Sequence, residues 1–279
     1  MPLPRVHAFE FNDLTWVGSD VRDTIVESLS RGLRWGRTLH GMVEPFAEFL
    51  SAAGTRQVLD LCAGAGGPAE ILVSEFRRSG AAPPELLLTD LFPREQAWLR
   101  IAARERAIQA ELSSVNAASI PPALGEGRAR AIINAFHHFP PELARSILDD
   151  AVRARAPVWI SEPFERNPLQ FLSFAPFGLA ALLANPVLTP EPTLGKAFLA
   201  WGATPFTLTL SAWDGFVSTL RVYDEAELRS MVRPSEGDYR WVFGIYRYTL
   251  GGKGYYFWGV PSERTTAPNG RTPRNPLAR

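Results

Sequence analysis

The chain has 279 residues, 46% of them hydrophobic, with 29 Lys+Arg balanced by 29 Asp+Glu. That is enough apolar material for one large α/β domain with a cap or two small domains, and a formally neutral chain lacks the basic footprint of a general nucleic-acid binder. The single cysteine, Cys62, excludes an intrachain disulfide and fits a reducing, cytoplasmic setting; no Cys/His cluster has zinc spacing, so no metal site is expected. Met1 to Glu10 has no apolar core of signal-peptide length.

Residues 1–19 read as irregular, with Phe9, Phe11 and Trp16 as exposed aromatics. Ser19 or Asp20 is placed to cap a helix. Val21, Ile25, Leu29 and Leu33, then Leu39, Met42, Val43, Phe46, Phe49 and Leu50, recur at helical spacing, and Gly32, Gly36 and Gly41 divide them into two or three helices. These make residues 1–56 an N-terminal helical cap.

Val58-Leu59-Asp60-Leu61-Cys62-Ala63-Gly64-Ala65-Gly66-Gly67-Pro68-Ala69 reads as a buried strand, a glycine turn and the start of a helix. Gly64 suits a tight turn, Gly66 close approach of backbone to a ligand, and Ala69 close helix–strand packing. Pro68 suits the first turn of a helix whose free N–H groups face a ligand. The apolar run Leu86-Leu87-Leu88-Thr89 ends in Asp90, near the spacing at which a carboxylate reaches a ribose diol. Asp60, just ahead of the glycines, would repel a pyrophosphate and suit an ammonium. The ligand implied is a nucleoside carrying an amino group, which counts against the rival reading of a nicotinamide oxidoreductase.

Asp60-x-Cys62-x-Gly64-x-Gly66-Gly67 followed by Asp90 resembles the first two motifs of the class I S-adenosylmethionine-dependent methyltransferases. The resemblance runs to about residue 165 and more loosely to about 260. It implies a Rossmann-like, seven-stranded, mostly parallel sheet with helices on both faces, and S-adenosylmethionine as cofactor, leaving as S-adenosylhomocysteine. It implies that Asp60 and the turn Cys62, Ala63, Gly64 and Gly66 hold the methionine end, that Asp90 holds the ribose, and that Leu91 and Phe92 lie by the adenine. In related enzymes N-terminal helices cover the substrate pocket, which makes Trp16 and Arg22 candidate acceptor contacts.

Residues 94–109 have the pattern of an amphipathic surface helix, and Leu112 to Val115 that of the third strand. Asn116-Ala117 stands where the family often has an acid that meets the adenine amino group; an ordinary Asn turn is the alternative. Ala129 to Ala135 is the fourth strand, followed by Phe136-His137-His138-Phe139-Pro140. This stretch resembles the motif of small-molecule methyltransferases whose backbone, here with Asn134, lines the methionine moiety and whose histidine faces the acceptor. It lacks the Pro-Pro-aromatic pattern of nucleobase amino-methylating enzymes. His137 and His138 are the candidate bases, with His138 ahead; adjacent strand-end residues point apart, so one of them is expected to reach the acceptor. Glu162, ending the fifth strand, either faces the cleft or pairs with an arginine.

From Asn167 to Pro190 there is no charged residue, but Pro168, Pro176, Pro186 and Pro190 interrupt the run, which predicts two short lid helices and not a membrane span. A second uncharged run covers Ala197 to Ala212. Together, residues 166–212 are an apolar insertion that suits a hydrophobic acceptor chamber; a membrane or partner surface is the less favoured use. Trp213-Asp214-Gly215-Phe216-Val217-Ser218-Thr219-Leu220-Arg221 resembles stretches in bacterial methyltransferases with a similar insertion, implying that Trp213, Asp214 and Arg221 help form the acceptor side. Asp214-Gly215 also suits a turn. Asp224 and Glu227 have the spacing of a capping box, and Tyr239 to Leu250 and Tyr255 to Val260 that of a hairpin closing the sheet across residues 213–261. Residues 262–279 are polar and Pro/Arg-rich, a composition of disordered tails.

The expectation is therefore a core at 57–165 that transfers a methyl group to the O, N or C atom of a small apolar or aromatic acceptor, as a monomer or homodimer. The alternatives are a methyltransferase-fold protein acting as a rearrangement catalyst, or a non-catalytic docking module.

Overall fold

The computed structural model describes residues 4–11, 14, 16–235 and 237–262. The tail beyond Ser262 lies outside the described residues. In chain order the elements are α1 (Ser19–Trp35), α2 (Val43–Ala53), β1 (Gln57–Leu61), α3 (Gly67–Arg78), β2 (Glu85–Thr89), α4 (Glu95–Ala102), β3 (Ile108–Ala110), α5 (Pro122–Gly125), β4 (Ala129–Ile133), α6 (Pro141–Arg153), β5 (Val158–Glu162), α7 (Phe171–Leu188), α8 (Leu194–Ala197), α9 (Thr204–Arg221), α10 (Glu225–Val232), β6 (Tyr239–Arg247) and β7 (Lys253–Pro261).

The strands form one sheet in the order β3-β2-β1-β4-β5-β7-β6. The first five run parallel, and β7 is antiparallel to both β5 and β6. This is the expected α/β, Rossmann-like seven-stranded architecture. Strand order reverses between β1 and β4, and open α/β sheets bind ligands in the crevice outside the strand ends at such a point.

Alternation along β1 sends Val58 to one face and Leu59 and Leu61 to the other. On the first face α2 inserts Phe46 and Phe49 against Trp159 of β5, with ring centroids 4.8 and 5.5 Å away. On the second, α6 and α10 bury Ile147, Leu148, Leu228 and Met231. The capping box at Asp224 and Glu227 is formed: each side chain accepts the other residue's backbone N–H at 2.9 Å.

Four local expectations are corrected. The third strand is Ile108–Ala110, not Leu112 to Val115; Ile108 and Ala110 pair with Leu86 and Leu88, while Glu111 accepts from Ser113 N–H and turns the chain away. The preceding helix stops at Ala102 instead of running to 109. The apolar run makes one helix, α7, with Pro176 and Pro186 inside it, and not two short ones. An interior proline costs about 3 kcal/mol, and tertiary packing outweighs that local preference. Gly32 of α1 lets the helices approach so closely that a Cβ there would lie 2.8 Å from the Phe174 ring and 3.3 Å from Gly178 Cα. Finally, Trp213 to Arg221 is neither turn nor sheet but the C-terminal half of α9, which crosses the expected division at 212/213.

Gly254 of β7 lies against the site strand: a Cβ there would sit 2.5 Å from the Glu162 carbonyl oxygen and meet the Tyr246 ring. Overpacking of this kind costs about 1–3 kcal/mol. Gly254→Ala is expected to lower stability by that amount in urea denaturation; an unchanged midpoint would show that β7 can shift freely against β5.

Candidate functional site

A cavity of ≈690 Å³ opens at the carboxyl ends of β1, β2 and β4, roofed by α1, α7 and α9. One end is built from the glycine turn. Cys62 and Gly64 take left-handed backbone angles, φ +62° and +53°. Nothing lies within 4 Å of where a Gly64 Cβ would point, so this residue gives the open backbone approach. That role was expected of Gly66. Gly66 has φ +83°, but its missing Cβ would meet Ile101 at 2.7 Å, and Gly66 does not line the cavity. Its smallness accommodates α4.

The turn is pinned from both sides. Asp90 accepts Gly64 N–H at 2.9 Å through Oδ2 and Phe92 N–H at 2.9 Å through Oδ1. Trp98 Nε1–H donates to Gly64 O at 2.8 Å. Asp90, Leu91 and Phe92 line the cavity with Cys62, Ala63 and Gly64. Burial pushes the Cys62 thiol up, with Asp90 and Asp60 adding to the effect, so the cysteine is an inert wall.

Asp60 sits behind this wall, 2% exposed and not itself on the lining. Its carboxyl is pushed up to about 8, by burial first and by Asp90 second. The charge acting on it is thus of its own sign, and a cation is what such a buried acid lacks. Asn116 and Ala117 line the cavity too, with the Asn116 amide oxygen accepting Ala118 N–H at 2.9 Å in an Asn turn. Asn134, also left-handed at φ +57°, lines the floor, and its buried Oδ1 has no hydrogen-bond partner. The same holds for Ser28 Oγ on α1. Buried polar atoms of this kind are normally satisfied. A ligand with an ammonium and several hydrogen-bonding groups fits this end.

Past Asn134 the chain makes a 3₁₀ turn, Phe136–His138, where the sequence suggested a strand end. That turn brings both histidines to the cavity, against the expectation that one would face away. Their rings pack with centroids 4.2 Å apart. Glu162 neither meets an arginine nor opens to the cleft. It is fully buried, accepts His137 N–H at 3.0 Å through Oε1, and holds His137 Nδ1 at 2.9 Å through Oε2. Burial is the main cause that pushes its carboxyl up to about 8; the His137 N–H bond works in the opposite direction.

A third group is one the sequence pattern did not single out. Glu10 is 2% exposed and lines the cavity beside the histidines. Its Oε1 pairs with Arg221 at 3.0 Å and accepts from Ser218 at 3.0 Å; its Oε2 lies 3.9 Å from His138 Nδ1. Ligand atoms of Glu10, His137 and His138 come within 4.8 Å of one another. No local signal marks Glu10, because it depends on a contact across more than 200 residues.

The remaining candidates divide. Asp214 lines the cavity and accepts Phe11 N–H at 2.6 Å. Trp213, Arg221, Trp16 and Arg22 do not line it. Trp213 donates to Phe9 O at 3.0 Å, Arg22 donates to Leu14 O at 2.7 Å, Trp16 is 74% exposed, and Arg221 is buried behind Glu10. The rest of the cavity wall is mostly apolar, with Leu29, Phe174, Leu179, Leu182 and Leu208 from the roof helices, interrupted by Ser30, Ser211 and Ser218. Among the described residues no helix is long and apolar enough to cross a membrane.

No family model and no curated protein matches this sequence. Among solved structures the chain is similar to the methyltransferase domain of bacterial CtHen1-C (12% identity, TM-score 0.47, covering 81% of this chain and 100% of that one). It is also similar to magnesium protoporphyrin IX methyltransferase (ChlM) from Synechocystis PCC 6803 with bound SAM (12%, 0.42, 89% and 100%). A third is a putative Zn-dependent alcohol dehydrogenase from Rhodobacter sphaeroides (12%, 0.43, 84% and 98%). At these identities and scores the likeness carries no argument about chemistry, which has to come from the site.

Asp60 and Glu162 hold protons to about 8, whereas in the unfolded chain each would release its proton near pH 4. The folded state therefore binds more protons across that interval, and their contribution to stability is full below pH 4 and lost as pH rises toward 8. Urea midpoints for Asp60→Asn are expected to fall less steeply between pH 5 and 8 than those of the unsubstituted protein. Identical slopes would show that Asp60 ionises in the folded state as it does in the unfolded one.

Proposed function

We propose that this protein is an S-adenosylmethionine-dependent methyltransferase acting on a small, largely apolar acceptor. The observation that carries the proposal is the acid pair at the Gly64 turn: Asp90 on the cavity lining, and Asp60 buried behind that wall with no cation beside it among the described residues. A dinucleotide pyrophosphate would meet the Asp90 carboxylate on the lining with a second acid behind it, whereas an amino-acid-bearing nucleoside meets its complements. Asp60 favours the ammonium from behind the wall, and Asp90 takes the ribose diol while still bracing the turn. Leu91 and Phe92 cover the adenine, with Asn116 and Ala117 at its edge. Asn134 and Ser28 satisfy the methionine end.

When bound, the cofactor supplies an electrophilic methyl group to the acceptor nucleophile and leaves as S-adenosylhomocysteine. The chain's own residues place that nucleophile and manage its proton. The apolar roof of α1, α7 and α9 holds the acceptor body and excludes water, so orientation contributes much of the rate. As the acceptor O or N bonds to the methyl carbon, its proton goes to a histidine and from there to solvent. His137 suits this role better than the exposed-side His138, because Glu162 fixes its ring through Nδ1; with the proton of that pair on Nδ1, Nε2 is left to accept the acceptor's proton. His138 lies against it and closes the site toward Glu10.

The test is calorimetric titration with S-adenosylhomocysteine. Asp90→Ala is expected to weaken binding by more than tenfold, while His138→Ala stays within about threefold of the unsubstituted protein. Unchanged affinity in Asp90→Ala would remove Asp90 from the cofactor site, and equal losses in both variants would point to general damage of the cavity.

A further inference from the structure

Residues 5–11 form a strap that crosses α9 and the histidine turn, and the Trp213–Arg221 segment is the rail that holds it. Val6 N–H donates to Leu220 O at 3.1 Å. Arg5 donates to Arg221 O at 2.6 Å and Phe139 O at 2.9 Å, and stacks over the Tyr223 ring at 4.0 Å. Arg221 donates to Ala8 O through Nε at 2.9 Å and Nη2 at 2.5 Å. Trp213 donates to Phe9 O and packs on its ring, and Asp214 accepts Phe11 N–H. On a helix Asp214, Ser218 and Arg221 share one face, and here Asp214 and Arg221 hold the strap backbone while Ser218 holds the Glu10 side chain. What the rail delivers is Glu10.

We infer that Glu10 is a specificity-determining residue of the acceptor site: it selects an apolar acceptor whose head is a hydroxyl or amine and rejects a carboxylate or phosphate. The inference rests on the methyltransferase reading and narrows its acceptor. Three observations carry it. The charged residues on the cavity lining are acids, Glu10, Asp90 and Asp214, and among the described residues no Lys or Arg lines it. Arg221, the cation nearest the histidines, is 2% exposed, pinned to Ala8 O and covered by Glu10, so an anion cannot reach it without displacing that carboxylate. Glu10 stands beside both histidines, where the reacting atom of an acceptor must sit to hand over a proton. An ionised carboxylate is acceptor-only, with about four lone-pair positions shared by its two oxygens. Such a group accepts an O–H or N–H from the acceptor and repels a second anion.

The test uses three probes with one apolar body: 2-naphthol, 2-naphthylmethylamine and 2-naphthoate, titrated calorimetrically at pH 7.5 into protein saturated with S-adenosylhomocysteine. The alcohol and amine are expected to bind at least tenfold more tightly than the carboxylate. Glu10→Gln removes the negative charge from the acceptor head's position and leaves that of Arg221, so naphthoate is expected to gain affinity and the ratio to shrink below about threefold. Glu10→Asp, which keeps the charge, is expected to retain the preference and serves if the glutamine variant does not fold. Equal binding of naphthoate and naphthol to the unsubstituted protein, no binding of any probe, or an unchanged ratio in Glu10→Gln would each overturn the inference. Failure of S-adenosylhomocysteine to bind would instead sink the cofactor reading beneath it.

Discussion

The interaction on which the site depends is the one between Glu162 and His137. Glu162 ends β5 in full burial, and its oxygens are spent on the histidine turn, on backbone N–H groups and on the His137 ring. A buried carboxyl without partners costs several kcal/mol, so the 3₁₀ turn that supplies them is tied to the strand end. The turn in turn decides that both histidines face one cavity. It also places Phe139 O and His138 where Arg5 and Arg221 meet them. The acceptor end is thus assembled outward from one hydrogen-bonded pair.

The cofactor end follows a different logic. Its acids are not neutralised internally: Asp60 has Asp90 as its charged neighbour, and Asp90 is occupied in holding the Gly64 turn. Such an arrangement makes stability subordinate to binding, because burial and Asp90 raise the Asp60 carboxyl and a bound ammonium would draw it down again. The polar atoms of Asn134 and Ser28 tell the same story on a smaller scale. Between the two ends the roof helices contribute only apolar side chains and small residues, which leaves recognition to the groups at either extremity.

Much of this was legible in the sequence because it is local. The strand–turn–helix at 57–69, the acid at Asp90, the histidine pair and the capping box at Asp224 are each written within a few neighbouring residues. What was not legible depends on distant contacts or on packing that overrides propensity. Pro176 and Pro186 signalled breaks, yet α7 persists against α1 because Gly32 and Gly178 let the two helices close up. Asp214-Gly215 looked like a turn and is helical, since its polar neighbours are stabilised by a strap two hundred residues earlier. Glu10 was invisible for the same reason. Gly66 was read as the point of close backbone approach, while the glycine whose missing Cβ opens onto free space is Gly64, a distinction that only the direction of a missing Cβ can make.

The central claim is that the acid pair Asp60 and Asp90 makes this end of the cavity complementary to the ammonium of an adenosyl amino acid. The most direct measurement is calorimetric titration of S-adenosylmethionine at pH 7, repeated in buffers of different ionisation enthalpy and in parallel with NAD. The account predicts binding of S-adenosylmethionine with release of up to about one proton, since a carboxyl held near 8 must ionise to pair with the ammonium, and no heat from NAD. Binding of NAD in its place, or binding of S-adenosylmethionine with no proton released, would contradict it.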